Sequence, residues 1–100
     1  MSNFKSLQQR LTEDHRLVIL RVLAEMPASR SNSSVLANVL HAWGHAVTRD
    51  YVKTQLRWLE EQGLLTVEDM EGALVATLTE RGHEAATGMA RVDGVAKPRG

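Results

Sequence analysis

Three cations recur at helical spacing in the middle of the chain: Arg49, Lys53 and Arg57. At about 100° per residue, with Val52 set at zero, they fall at roughly 60°, 100° and 140° and form one stripe. Asp50 and Thr54 follow at about 160° and 200°, pointing away from Val52. Such an edge suits a polyanion. A guanidinium can fork onto a phosphate or a guanine edge, which makes Arg57 a candidate for either, while Arg49 and Lys53 suit phosphates. Gln55, at about −60°, lies too near the apolar side to read a base. Tyr51 and Trp58, at roughly −100° and −120°, sit one above the other and could touch sugar and phosphate or pack beneath a neighbouring hairpin. A solvated helix face carries the same pattern, and here Asp50 and Glu61 offset the cations.

Other chemistry has less behind it. His41 and His45 are four apart, a spacing that suits a metal, but Gly44 interrupts a helix between them and no acidic or cysteine residue lies nearby to complete a site. No metal and no cofactor are expected. His15 and His83 are expected on the surface, in the first turns of helices. Ser29, Ser31, Ser33 and Ser34 form a loop and cap cluster without nucleophile spacing. A glycine-rich phosphate loop is missing. The inventory predicts no enzyme.

Composition sets wider limits. One hundred residues, 43% of them hydrophobic, make one small domain. Twelve basic and twelve acidic residues cancel, which excludes attachment to nucleic acid by bulk charge alone. Cysteine is absent, so disulfides and thiolate chemistry are excluded. No apolar run exceeds four residues, and none follows Met1 as a secretion signal would require, so no membrane segment and a cytoplasmic location are expected. The charges are uneven. Residues 1–30 carry a net +2, 31–63 zero, 64–90 −4 and 91–100 +2, so an anionic partner should avoid the 64–90 region.

The elements that would position the stripe follow from caps and periodicity. Thr12, with Glu13 and Asp14 after it, can open a first helix through Ala24 that Pro27 stops. Leu7 and Leu11 predict a partly helical N-terminal extension over 1–11. A polar loop spans 28–33. Asn32 or Ser33 then caps a second helix carrying Val35, Leu36, Val39, Leu40 and Trp43, with Gly44 at its end. Thr48 caps the third, whose core face is Val52, Leu56 and Leu59. After Gly63 the period becomes two. Leu65 and Val67 face Leu74, Ala76 and Leu78 across Met70-Glu71-Gly72, a β-hairpin. Thr79 caps a last helix through about Met89, which Gly82 and Gly88 weaken. Residues 91–100 lack periodicity and are expected as a flexible tail.

Three helices, a two-stranded β-hairpin wing and a C-terminal helix make an α+β layout that resembles a winged helix-turn-helix over residues 12–90. The run from Thr48 to Leu65 resembles the recognition helix and first wing strand of that superfamily, and Leu78-Thr79-Glu80-Arg81-Gly82 the junction that closes the wing. Thr12 to Arg21, Trp58 to Leu64 and Val75 to Gly82 are similar to small ArsR-like winged-helix proteins of Mu-type prophages. The resemblance implies a DNA-binding transcriptional regulator that meets double-stranded DNA through Arg49, Asp50, Lys53, Thr54 and Arg57. ArsR-like metal sensing does not carry over, because its cysteine ligands are missing.

One feature departs from that pattern. Wings that grip DNA present Arg or Lys, whereas this hairpin carries Glu68, Asp69 and Glu71. Duplex DNA would repel such a tip within a Debye length of about 8 Å. Lys97 and Arg99 could supply a compensating contact. The competing class is a protein-interaction module without DNA binding, using the acidic edge for docking. Val18, Ile19, Val22 and Leu23 cover more than one face of the first helix, which predicts a homodimer through the N-terminal segment, the first helix and the last helix, unless residues 4–11 fold back over them.

Overall fold

Ser6 opens the first helix, six residues before the expected cap. The Gln9 amide donates to Ser6 Oγ at 3.1 Å, and the Ser6 amide donates to Gln9 Oε1 at 2.9 Å, a reciprocal capping box. In this computed structural model, which describes residues 5–98, the helix α1 then runs unbroken over Leu7–Glu25. Thr12 lies inside it and its hydroxyl donates to the Gln8 carbonyl at 3.0 Å, so it caps nothing. The helical part of the expected extension over 1–11 is thus continuous with the first helix, and residues 1–4 lie outside the described residues. Leu7 and Leu11 continue the helix instead of folding back, and both stay exposed.

Past Pro27 a single tight turn, Pro27–Ser29, holds Ala28 and Ser29 at φ of 57° and 54°. It leads into β1, Arg30–Asn32, where a loop was expected. Nothing in Arg-Ser-Asn favours a strand. The strand forms because the edge of the hairpin offers backbone groups that need partners. β1 pairs antiparallel with that edge, Ser31 opposite Ala76.

Asn32 Oδ1 accepts from the Val35 amide at 2.9 Å and caps α2, Ser33–Ala42. The other candidate cap, Ser33, is buried and accepts from the Leu74 amide at 3.2 Å. Thr48 caps α3, Arg49–Glu61, through the Tyr51 amide at 3.0 Å. The hairpin strands are β2, Leu65–Met70, and β3, Ala73–Leu78. Met70 pairs with Ala73 across Glu71 and Gly72, whose φ values of 56° and 92° are the positive pair that a two-residue hairpin turn requires. The Thr79 hydroxyl accepts from the Gly82 amide at 3.1 Å and caps α4, Glu80–Thr87.

The result is a mixed α+β domain with, among the described residues, four α-helices and a three-stranded antiparallel sheet in the order β1-β3-β2, one strand more than the sequence predicts. One apolar core joins them. Ile19, Leu20 and Leu23 of α1 meet Leu36 and Leu40 of α2, and Val52, Leu56 and Leu59 of α3. Leu65, Leu74, Ala76 and Leu78 close it from the sheet, Ala85 and Ala86 from α4.

Residues 91–98, expected as a flexible tail, lie against the domain. They form neither helix nor strand, yet Val92 is buried, Val95 packs on the core, and the Ala96 amide donates to the Glu13 carbonyl at 3.1 Å. Three apolar residues in an irregular segment leave no periodic signal. Arg99 and Gly100 lie outside the described residues. Among the described residues no helix is long and apolar enough to cross a membrane.

Candidate functional site

α3 divides its circumference among three tasks. Val52, Gln55, Leu56 and Leu59 are buried. On the opposite side Arg49, Asp50, Thr54 and Arg57 are exposed and Lys53 is half-buried. The structure thus brings all five sequence-derived candidates to one side of one helix. Arg49 and Lys53 form no ion pair among the described residues. Arg57 does: its Nη1 lies 3.1 Å from Glu60 Oε1. The other oxygen of Glu60 accepts from the Val67 amide at 3.2 Å, so Glu60 ties α3 to β2 while holding Arg57. An exposed pair of this kind contributes at most about 1 kcal/mol, so an incoming phosphate can compete for the guanidinium. The Thr54 hydroxyl donates to the Asp50 carbonyl at 3.1 Å, which leaves its lone pairs, and not its proton, for a partner.

The third strip holds α3 in place. Tyr51 and Trp58 both meet side chains of α1. The Tyr51 hydroxyl and His15 Nδ1 share a hydrogen bond of 2.8 Å, and the Arg16 guanidinium stacks 3.7 Å above the Trp58 ring. Arg16 also donates from Nε to Gln55 Oε1 at 2.7 Å and from Nη1 to the Gly94 carbonyl at 2.9 Å. One side chain of α1 therefore binds α3 and the C-terminal segment together. In the sequence Arg16 shares a polar strip with Arg21 and Glu25, and no local signal separates it from them.

His15 was expected on the surface and is buried instead, edge-on to the His45 ring with centroids 4.9 Å apart. Burial holds its pKa below the ordinary imidazole value, the charge of His45 adds to this, and Asp14 opposes it. The unfolded chain then binds more protons than the folded one over the interval between the two pKa values, so stability rises with pH there. Stability should be full above about pH 6.5 and should fall as the pH drops toward the folded value. Melting temperatures read from pH 8 to 5 should converge for the parent and His15→Gln at the acid end. Parallel profiles would refute a role for His15.

His83, also expected to stand alone, has its Nε2 3.0 Å from Ser29 Oγ. A serine–histidine contact invites a catalytic reading, but the adjacent amides are committed. Ser29 N–H donates to Met26 O, and Arg30 N–H to Pro27 O. Those two amides therefore offer no donor to an oxyanion, and the contact links the turn before β1 to α4. His41 is exposed at the end of α2, and the described residues contain no group of three or more His, Asp or Glu able to hold a metal.

The acidic hairpin is partly used within the chain. Asp69 Oδ1 accepts from the Gly72 amide at 2.9 Å, and Glu68 lies 3.5 Å from Arg30 Nη2. Arg30 reaches the hairpin because β1 joins the sheet, an approach no pattern in the sequence announces.

A mixed α+β domain with an exposed cationic helix edge is the class that these observations define. The chain belongs to the family of the uncharacterized protein gp26 of Escherichia phage Mu. It is 53% identical to that protein over 89 residues, which cover 89% of this chain and 92% of the relative. An uncharacterized protein of Haemophilus influenzae is 47% identical over 77 residues, covering 76% of this chain and 74% of the relative. No protein-family model matches the chain.

Proposed function

We propose that the chain is a small winged-helix DNA-binding transcriptional regulator, with α3 as the helix that enters the major groove. The observation that carries this reading is the exposed edge of α3, where Arg49 and Lys53 have no ionic partner among the described residues. A helix is about 10–12 Å across and the groove about 12 Å wide, so a helix bare on one side fits. Arg49 is also the first residue of α3, where the helix dipole adds positive potential toward a phosphate. The order α2, short connection, α3, hairpin supports the winged layout, with β1 as a third strand beside the wing. Arg30 next to Glu68 offsets part of the acidic charge that would otherwise repel a duplex. Kinship with a phage Mu protein supports a prophage origin. The reading places its action in the cytoplasm and involves neither a reaction nor a cofactor.

A gel-retardation assay on DNA flanking the gene should give a complex at low salt that disappears as salt rises. No complex at low salt on any genomic fragment would favour the interaction module, with Glu68, Asp69 and Glu71 as its docking edge.

Two copies are further inferred to pair, on a different basis from the expected one. Ile19, Val22 and Leu23 are covered within the chain. Leu7 at 74% exposure and Leu11 at 38% remain bare on the first turns of α1, and Met89 at 81% just beyond α4. Twofold pairing would cover these side chains. Sedimentation should give a two-chain mass that Leu7→Glu/Leu11→Glu reduces to one. A parent mass of one chain would contradict the pairing.

A further inference from the structure

Between the C-terminal end of α4 and residues 91–98 lies a cavity of about 160 Å³. Ala85, Val92, Val95 and Ala96 supply an apolar part of its lining, and Arg91 and Lys97 a cationic part. Small side chains create the space, since an irregular segment laid on a helix by alanines and valines cannot fill the gap that larger residues would. The volume is close to that of an apolar protein cavity of about 150 Å³ that admits benzene. Both cations are exposed, and neither forms an ion pair among the described residues. Among the described residues no carboxylate lines the cavity. The carbonyl end of α4 contributes about half a negative charge, which offsets only part of two full positive ones. The site therefore carries a net attraction for an anion beside a pocket for a ring-sized apolar body.

The wall of this cavity is mechanically joined to α3. Two residues past Val92, the Gly94 carbonyl accepts from Arg16, and the Gly94 backbone lies against the Trp58 ring. Arg16 in turn holds Gln55. A body that lifts or fixes the 92–96 segment must act on Arg16, and through it on the α3 strip formed by Gln55 and Trp58.

We infer that this cavity is a binding site for a small apolar monocarboxylate, with a ring-sized body among Ala85, Val92, Val95 and Ala96 and its carboxylate on Arg91 and Lys97, and that occupancy is transmitted to α3 through Gly94 and Arg16. The inference stands apart from the DNA-binding reading, because both halves are tested without DNA.

Benzoate is the probe, titrated into the full chain and followed by amide and indole NMR shifts. Saturable shifts are expected at residues 85, 92, 95 and 96, with a dissociation constant on the millimolar scale for so few atoms. The Trp58 indole N–H should move with the same midpoint. Arg91→Gln/Lys97→Gln alters only exposed side chains and should weaken benzoate about tenfold while leaving benzyl alcohol, its uncharged counterpart, unchanged. Absence of saturable shifts at those amides would overturn the site. Equal weakening of both probes, or of neither, would overturn the assignment of the carboxylate. Shifts confined to the cavity, with Trp58 still, would overturn the transmission.

Discussion

Gly82→Ala is expected to destabilise the fold by about 3 kcal/mol, although alanine is the better helix former by about 1 kcal/mol. Position 82 lies in α4, buried, at an ordinary helical φ, so conformational freedom is not what it supplies. What it supplies is closeness. A Cβ there would be driven into the Leu64 carbonyl oxygen and would sit 2.6 Å from Leu78 Cδ1. Leu78 could change rotamer, but the carbonyl cannot swing aside freely. It accepts from the Thr79 amide at 3.1 Å, and the next carbonyl back, that of Gly63, accepts from the Thr79 hydroxyl at 2.7 Å. Arg81 Nε reaches the Gln62 carbonyl at 3.4 Å as well. The start of α4 is thus fastened along the junction between α3 and β2, and a methyl group would force it off. Thermal unfolding should fall by more than about 10 °C. An unchanged or raised midpoint would contradict this packing.

Arg49→Ala/Lys53→Ala is expected to weaken duplex binding by about thirtyfold while leaving stability within about 0.5 kcal/mol. The two effects separate because neither side chain belongs to the buried core and neither forms an ion pair among the described residues. Arg57→Ala should weaken binding less, since Glu60 already holds that guanidinium and its release offsets part of any new contact. A structural role for the stripe would give the reverse pattern, with lost stability and intact binding.

The parts of this molecule that are legible in sequence are those governed by local chemistry. Thr48 and Thr79 cap the helices expected of them, and the Met70-Glu71-Gly72 signal sits at the hairpin turn. The five candidates on α3 share a face because helical geometry alone decides it. Long-range contacts are where reading fails. β1 exists because β3 has an edge to fill, and Arg30-Ser31-Asn32 carries no sign of it. His15 is buried by Tyr51 and His45, thirty or more positions away. Gly82 reads as a weak helix residue until Leu64 is placed beside it. Ser6 was legible in principle, since Ser6-x-x-Gln9 is a capping box, but Thr12 with acidic residues after it offered a stronger-looking start.

The most direct measurement is the salt dependence of duplex binding. The logarithm of the association constant should fall linearly with that of the salt concentration, with a slope of about −3 or steeper for three or more phosphate contacts. Arg49→Ala/Lys53→Ala should reduce the magnitude of that slope by about 1.8, roughly 0.9 for each contact removed. A slope unchanged by removing both cations would mean that the exposed edge of α3 does not touch the phosphates.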